Sequence, residues 1–353
     1  MNSYERYVAV CELRQPDRVP VSPLIMTFAA KLAGVRYSDY CRYGEVMASA
    51  QLQCIRRFGY DSVNVTSDAV RESETLGAPV IWQEDEVPGA PGDDALIKAE
   101  DDLKKLRLPD PLGPNRMHEQ IKALRILQHE LGDGEVVYGW VEAPFQEAAM
   151  LRGLSWLMTD LYEHPKLVHE LMRFATEMEL AFGLAQIEAG ARFIGVGDAV
   201  ASLVSPRHYR EYNFPYVSEL ISALKKAGAR VKYHACGNTT ALLPLFAELE
   251  ADIINLDALI DLAQAKAILG RKMCIKGNID PARVMLAGAP AQVRAEAKRC
   301  LLEGGQEGGF ILSPGCELPR DTPYENLEAL VDAAREMGRY PLDLSGLTDD
   351  PAV

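Results

Sequence analysis

Short β-rich runs, each followed by an amphipathic stretch, recur along almost the whole chain, and this alternation restricts the fold more than any other property. The runs are Val19–Met26, Ser62–Thr66, Val136–Val141, Arg192–Val196, Arg230–Tyr233, Asp252–Leu256, Lys272–Lys276 and Gly309–Leu312. Helical pattern fills Pro165–Ala189, Pro206–Ala227, Thr239–Glu250, Ala289–Glu303 and Tyr324–Met337, several of them opened by Pro or Thr where a helix would start. Strands separated by helices pair in parallel through right-handed crossovers. Eight such units predict an α/β chain folded as a (β/α)8 TIM barrel, one domain over residues 1–353, rather than an open doubly wound sheet. The stretch 70–130 carries Pro88-Gly89-Ala90-Pro91-Gly92 and a second Pro-rich run at 109–114. It reads as an irregular insertion, a long decorated connection between the second and third strands, with a small hairpin near Val80–Trp82.

In a parallel barrel the functional side chains collect at the C-terminal ends of the strands. His234 and Cys236 directly follow the fifth run, and their i, i+2 spacing puts both on one face of an extended segment. Cys316 follows the eighth run. One imidazole and two thiols suit a soft divalent metal, zinc above all, with a fourth position left for substrate. Carboxylates crowd the same rim: Asp68 after the second run, Glu142 after the third, Asp198 after the fourth and Asp257 after the sixth. Asp257 is either a displaceable fourth metal ligand or the cap of the next helix. Asp198, in Gly195-Val196-Gly197-Asp198, is either a substrate or cofactor contact or part of a turn. These two are the candidate catalytic carboxylates, and Asn278 and Asp280 are further rim candidates for substrate contact. A metal so ligated would activate a bound thiol or polarise a donor oxygen, whereas two thiolates fit a hydrolytic water less well.

Charge narrows the partners. The net charge of -14, from 51 acidic and 37 basic residues, comes without a basic stripe and argues against a nucleic-acid surface. The start of the chain has no apolar signal region and no apolar run nears bilayer length, so a cytoplasmic protein without membrane contact is expected. Seven scattered cysteines form no disulfide framework; Cys11, Cys54, Cys274 and Cys300 read as buried small hydrophobes.

Several segments together resemble the uroporphyrinogen decarboxylase superfamily: Pro16-Asp17-Arg18-Val19-Pro20-Val21, Tyr60-Asp61-Ser62-Val63, His234-Ala235-Cys236-Gly237, Gly277-Asn278-Ile279-Asp280-Pro281 and Pro323-Tyr324-Glu325-Asn326-Leu327. The likeness covers nearly the whole chain. Within it, His-x-Cys with a late Cys is similar to the zinc-dependent branch typified by methylcobalamin:coenzyme M methyltransferases. That branch implies a barrel with Zn2+ on His234, Cys236 and Cys316. It also implies a corrinoid (methylcobalamin) carried by a partner protein, and a small methylated donor or thiol acceptor. Asp68, Glu142, Asp198, Asn278 and Asp280 would then face substrate or corrinoid. The decarboxylase branch carries an arginine-rich loop for porphyrinogen carboxylates after the first strand, where this chain has Met26–Gly34 and no arginine before Arg36. It also has a Gly-His-Gly where this chain has Pro314-Gly315-Cys316. Ser67-Asp68, by contrast, is similar to the decarboxylases' catalytic aspartate segment. Zinc-dependent methyl transfer is therefore the expected function, with uroporphyrinogen decarboxylation and a non-catalytic corrinoid- or tetrapyrrole-binding barrel as the alternatives.

Overall fold

A computed structural model of the chain describes residues 1–92 and 94–342. Seven strands form one parallel sheet in sequence order: β1 (Ser62–Asn64), β2 (Val136–Glu142), β3 (Phe193–Asp198), β4 (Arg230–Ala235), β5 (Ile253–Leu256), β6 (Cys274–Ile279) and β7 (Phe310–Pro314). Nearly every strand residue is buried, as expected when helices cover one face and the other lines a barrel interior.

The count of eight is corrected to seven among the described residues, because Val19–Met26 does not form a regular strand. Pro20 and Pro23 lack the N–H that a ladder needs. The segment instead makes isolated parallel bridges, Val21 to Leu312 and Leu24 to Glu317. Ser22 N–H donates to the Leu312 carbonyl at 2.9 Å, and Asp61 N–H, at the entry to β1, donates to the Val21 carbonyl at 2.8 Å. An irregular stretch thus bridges the two edges of a curled seven-stranded sheet.

The β1–β2 connection contains a short helix, Arg71–Thr75, an antiparallel bridge between Ile81 and Gly89, and a regular helix, Arg116–Leu131. Asn115 starts that last helix, its Oδ1 accepting the His118 N–H at 3.0 Å.

The strand register sorts the interior into layers. At the N-terminal end Tyr138, Phe193, Ile253, Cys274 and Ile311 pack into an apolar floor, and the helix Ser3–Cys11 closes it from below with Tyr7 and Val10. The Tyr7 ring lies 5.5 Å from Phe193 and 6.0 Å from Tyr138. Burying each such ring contributes about 2 kcal/mol. Above the floor sit two fully buried lysines. The Lys232 ammonium position is 4.5 Å from the Trp140 ring centre, and Lys276 donates to Ser22 Oγ at 3.0 Å. Burial pushes Lys276 down to about 7 and moves Lys232 the same way. The two inward glycines of β3 are a matter of space: a Cβ on Gly195 would stand 2.5 Å from the Trp140 ring, and one on Gly197 2.8 Å from Glu142 Oε2. Their absence of side chains lets Trp140 and Glu142 fold across the mouth.

Candidate functional site

At the C-terminal rim the ends of β4 and β7 converge. His234 is the second-last residue of β4, Cys236 follows the strand, and Cys316 follows β7 after Gly315. The chain turns sharply behind Cys236 at Gly237, where φ is +77° and a Cβ would meet Ser202 Oγ at 2.6 Å. The Cys236 Sγ lies 3.0 Å from His234 Nε2 and 3.6 Å from Cys316 Sγ, and Cys316 Sγ lies 3.8 Å from His234 Nε2. Around a tetrahedral zinc, with bonds of roughly 2.1 Å to nitrogen and 2.3 Å to sulfur, such donors stand about 3.6 to 3.8 Å apart. The two separations to Cys316 match that range and the His234–Cys236 pair stands about 0.6 Å closer; the three side chains converge as a metal's donors would, and their chemistry is that of a soft one. The hydrogen bond from Cys236, together with neighbouring His234, holds the Cys316 thiol below its ordinary value.

Asp257 is not drawn into this set. Its Oδ2 accepts the Gly237 N–H at 2.9 Å and its Oδ1 the Leu259 N–H at 2.9 Å, so the carboxylate braces the turn that carries Cys236. Asn278 ties the end of β6 to the same region, its Nδ2 donating to the carbonyls of Asp257 and Ile260. Asp280 caps the helical turn after β6 through the Ala282 and Arg283 amides. Asp68 is clasped by Arg116, Nη1 to Oδ2 at 2.6 Å and Nη2 to Oδ1 at 2.8 Å, and also accepts from Ser67 Oγ. Glu142 accepts the Trp140 indole N–H at 3.1 Å, and burial pushes its carboxyl up to about 8.

Asp198 accepts from Tyr233 Oη at 2.7 Å and Asn213 Nδ2 at 2.8 Å, inside a wall that shuts out water. Burial raises its carboxyl to about 6. A raised carboxyl stabilises the fold fully below its unfolded value, and that contribution is lost as pH climbs through 6. The rise of about two pH units, at about 1.4 kcal/mol each, amounts to about 3 kcal/mol. In Asp198→Asn the drop in unfolding free energy between pH 4 and pH 7.5 is accordingly expected to shrink by up to about 3 kcal/mol, read from urea melts beside the parent. An unchanged pH slope would refute the assignment.

Two neighbours of the His234, Cys236 and Cys316 set escaped the sequence reading. The Trp140 ring centre is 6.3 Å from that of His234, forming an aromatic side wall. Glu317, next to Cys316, is half-buried and accepts both the N–H and the hydroxyl of Thr27. The inward parity of Trp140 on β2 was a readable signal; nothing local pointed to Thr27, 290 residues from its partner.

Comparison with known proteins adds the ancestry. A sequence profile of the uroporphyrinogen decarboxylase (URO-D) family matches residues 2–337. The uroporphyrinogen decarboxylase of Trichlorobacter lovleyi is 29% identical over 346 residues, covering 95% of this chain and 99% of the relative. That of Psychromonas ingrahamii is 27% identical, covering 85% and 86%. Among solved structures, a methyltransferase from Methanosarcina mazei superposes with a TM-score of 0.87 at 23% identity, over 95% of this chain and 99% of the other. At that identity the likeness speaks for the fold alone. The expectation of methyl transfer between a corrinoid protein and a small substrate is corrected by these findings: the curated relatives that span most of the chain are named decarboxylases. No helix among the described residues is long and apolar enough to cross a membrane.

Proposed function

The chain belongs to the uroporphyrinogen decarboxylase family, and from that premise we propose that it is an enzyme that removes CO2 from a carboxylate-bearing substrate at the C-terminal rim, with a divalent metal, zinc by its donors, on His234, Cys236 and Cys316. The observation that carries the reading is the family match over residues 2–337, and the charge around the mouth narrows what the substrate can be. The two arginines buried beside it are already committed, Arg71 to Glu72 and Glu142 and Arg116 to Asp68 and Glu74. The Met26–Gly34 stretch offers one lysine, Lys31, which pairs with Asp321. An anionic substrate therefore meets no free arginine there among the described residues, and a metal on His234, Cys236 and Cys316, whose charge the two thiolates offset, would hold one substrate oxygen through its open coordination position rather than by net charge. When bound, the metal supplies an electrophile for a substrate oxygen.

The chain's own residues do the positioning. Trp140 gives an apolar face beside His234, and Asp257 holds the Cys236 turn in place. Asp68, where the resemblance puts the decarboxylases' aspartate, is kept in one orientation by the Arg116 fork. Loss of CO2 leaves the bonding pair on carbon, which then takes up a proton. A substrate held by one metal rather than by a loop of arginines carries fewer carboxylates to anchor than an octacarboxylate ring.

The test is anaerobic incubation of the purified protein with uroporphyrinogen and with smaller carboxylated pyrroles, following CO2 release and product mass. Release from at least one of these, lost in Cys236→Ser, is the expected outcome. No release from any of them by a zinc-loaded sample would overturn the reading.

A further inference from the structure

Behind β2, away from the thiolate set, three glutamates from three helices meet inside the protein. Glu72 lies in Arg71–Thr75, Glu147 in Pro144–Arg152 and Glu179 in the long helix Pro165–Glu188. All three are fully buried, and one carboxylate oxygen of each lies within 4.8 Å of the others. Glu142 borders them, its backbone N–H donating to Glu179 Oε2 at 3.1 Å. Four oxygens, Glu72 Oε2, both of Glu147 and Glu179 Oε1, have no hydrogen-bond partner among the described residues.

The charges there do not balance. Arg71 faces Glu72 and Glu142, and no other cation pairs with the group among the described residues. One positive charge against the four carboxylates Glu72, Glu142, Glu147 and Glu179 leaves a deficit of three. An uncompensated buried carboxylate costs several kcal/mol. Burial correspondingly drives the carboxyls of Glu72, Glu147 and Glu179 upward.

We propose that Glu72, Glu147 and Glu179 hold a hard divalent cation of the Mg2+, Mn2+ or Ca2+ class, a second metal site chemically distinct from the His–Cys–Cys centre. Every donor is an oxygen, which suits hard cations and not a thiophilic one. Oxygens bound at about 2.0 to 2.6 Å from one ion stand roughly 3 to 5 Å apart across its coordination sphere, and the observed separations fall within that limit. The ion would reduce the deficit from three charges to one and would occupy the unpartnered oxygens. It would also set the mouth of the barrel. Glu142, next to the triad, receives the Trp140 indole N–H, and Trp140 in turn flanks His234. This site stands independently of the decarboxylase reading, since its test measures binding and not turnover.

The experiment uses the full-length protein. Elemental analysis as purified is followed by chelator treatment and titration with MnCl2, read by electron paramagnetic resonance. Melting is followed in parallel with MgCl2, MnCl2 or CaCl2. Expected are one hard cation per chain retained from purification or one Mn2+ bound on titration, and a melting temperature that rises with at least one of the three salts. Glu147→Gln and Glu179→Gln should each weaken Mn2+ binding by at least about tenfold, while Cys316→Ala leaves it intact. The proposal is overturned if the parent protein neither retains nor binds such an ion, or if both glutamine variants bind Mn2+ as the parent does. A cluster that simply holds protons would show itself by glutamine variants at least as stable as the parent and indifferent to all three salts. Should a glutamine variant fail to fold, the measurements on the parent decide.

Discussion

A Cys316→Ala protein is expected to fail to bind the zinc proposed for His234, Cys236 and Cys316 while keeping its fold. Three donors from two strand ends make the centre, and Cys316 alone comes from the β7 side. Without it, His234 and Cys236 remain as a pair two residues apart at the end of β4, and two donors cannot enclose a tetrahedral ion. Zinc held by a full protein donor set is bound by roughly 10 to 16 kcal/mol, so the share of one thiolate is about 4 kcal/mol, or about a thousandfold in affinity. Competition with a chelator of known affinity and elemental analysis after dialysis would measure this. The parent should carry about one zinc per chain at the proposed centre, and Cys316→Ala none. Cys300→Ala, which removes a thiol buried near Asn278 and outside the donor set, should keep it. Zinc retained equally in the Cys316 and Cys300 variants would dismiss the centre, as would a parent protein that never binds it.

The largest loss of stability is expected from Arg116→Ala. The Asp68 side chain is 0% exposed and Arg116 only 9%, and the guanidinium makes two parallel bonds to the carboxylate while its Nε reaches Glu74. The pair as a whole contributes little net stability, because both ions gave up water to form it. Removing one partner is different, since it strands the other charge in a space that water does not reach. The expected loss is about 3 to 5 kcal/mol in urea unfolding, with part recovered in the double variant Asp68→Asn/Arg116→Met. A loss below about 1 kcal/mol would mean that Asp68 finds solvent or another donor.

These two cases also mark where a sequence can and cannot be read. β1 to β7 were legible as short β-rich runs alternating with helical pattern, because length and period separate such runs from the helices between them even where Lys232, His234, Lys276 and Asn278 interrupt the apolar residues. Val19–Met26 looked alike in composition, but Pro20 and Pro23 decided the backbone: a proline-broken run can close a sheet without belonging to it. His234 and Cys236 could be placed together because two residues of one strand share a face whatever the rest of the chain does. Cys316 required only the barrel, which brings strand ends to one rim. Arg116 required more, since a helix 48 residues beyond Asp68 had to come back across it, and no local pattern encodes that return. The same holds for Glu72, Glu147 and Glu179, each an unremarked glutamate in a helix until three helices meet. Asp257 illustrates the converse: the right residue type at the right strand end, with both oxygens taken by the backbone it steadies.

The helix Ser3–Cys11, seated under the apolar floor with Tyr7 against Tyr138 and Phe193, plugs the N-terminal end of the curled sheet, which leaves the rim that carries His234, Cys236 and Cys316 as the end from which a ligand would approach.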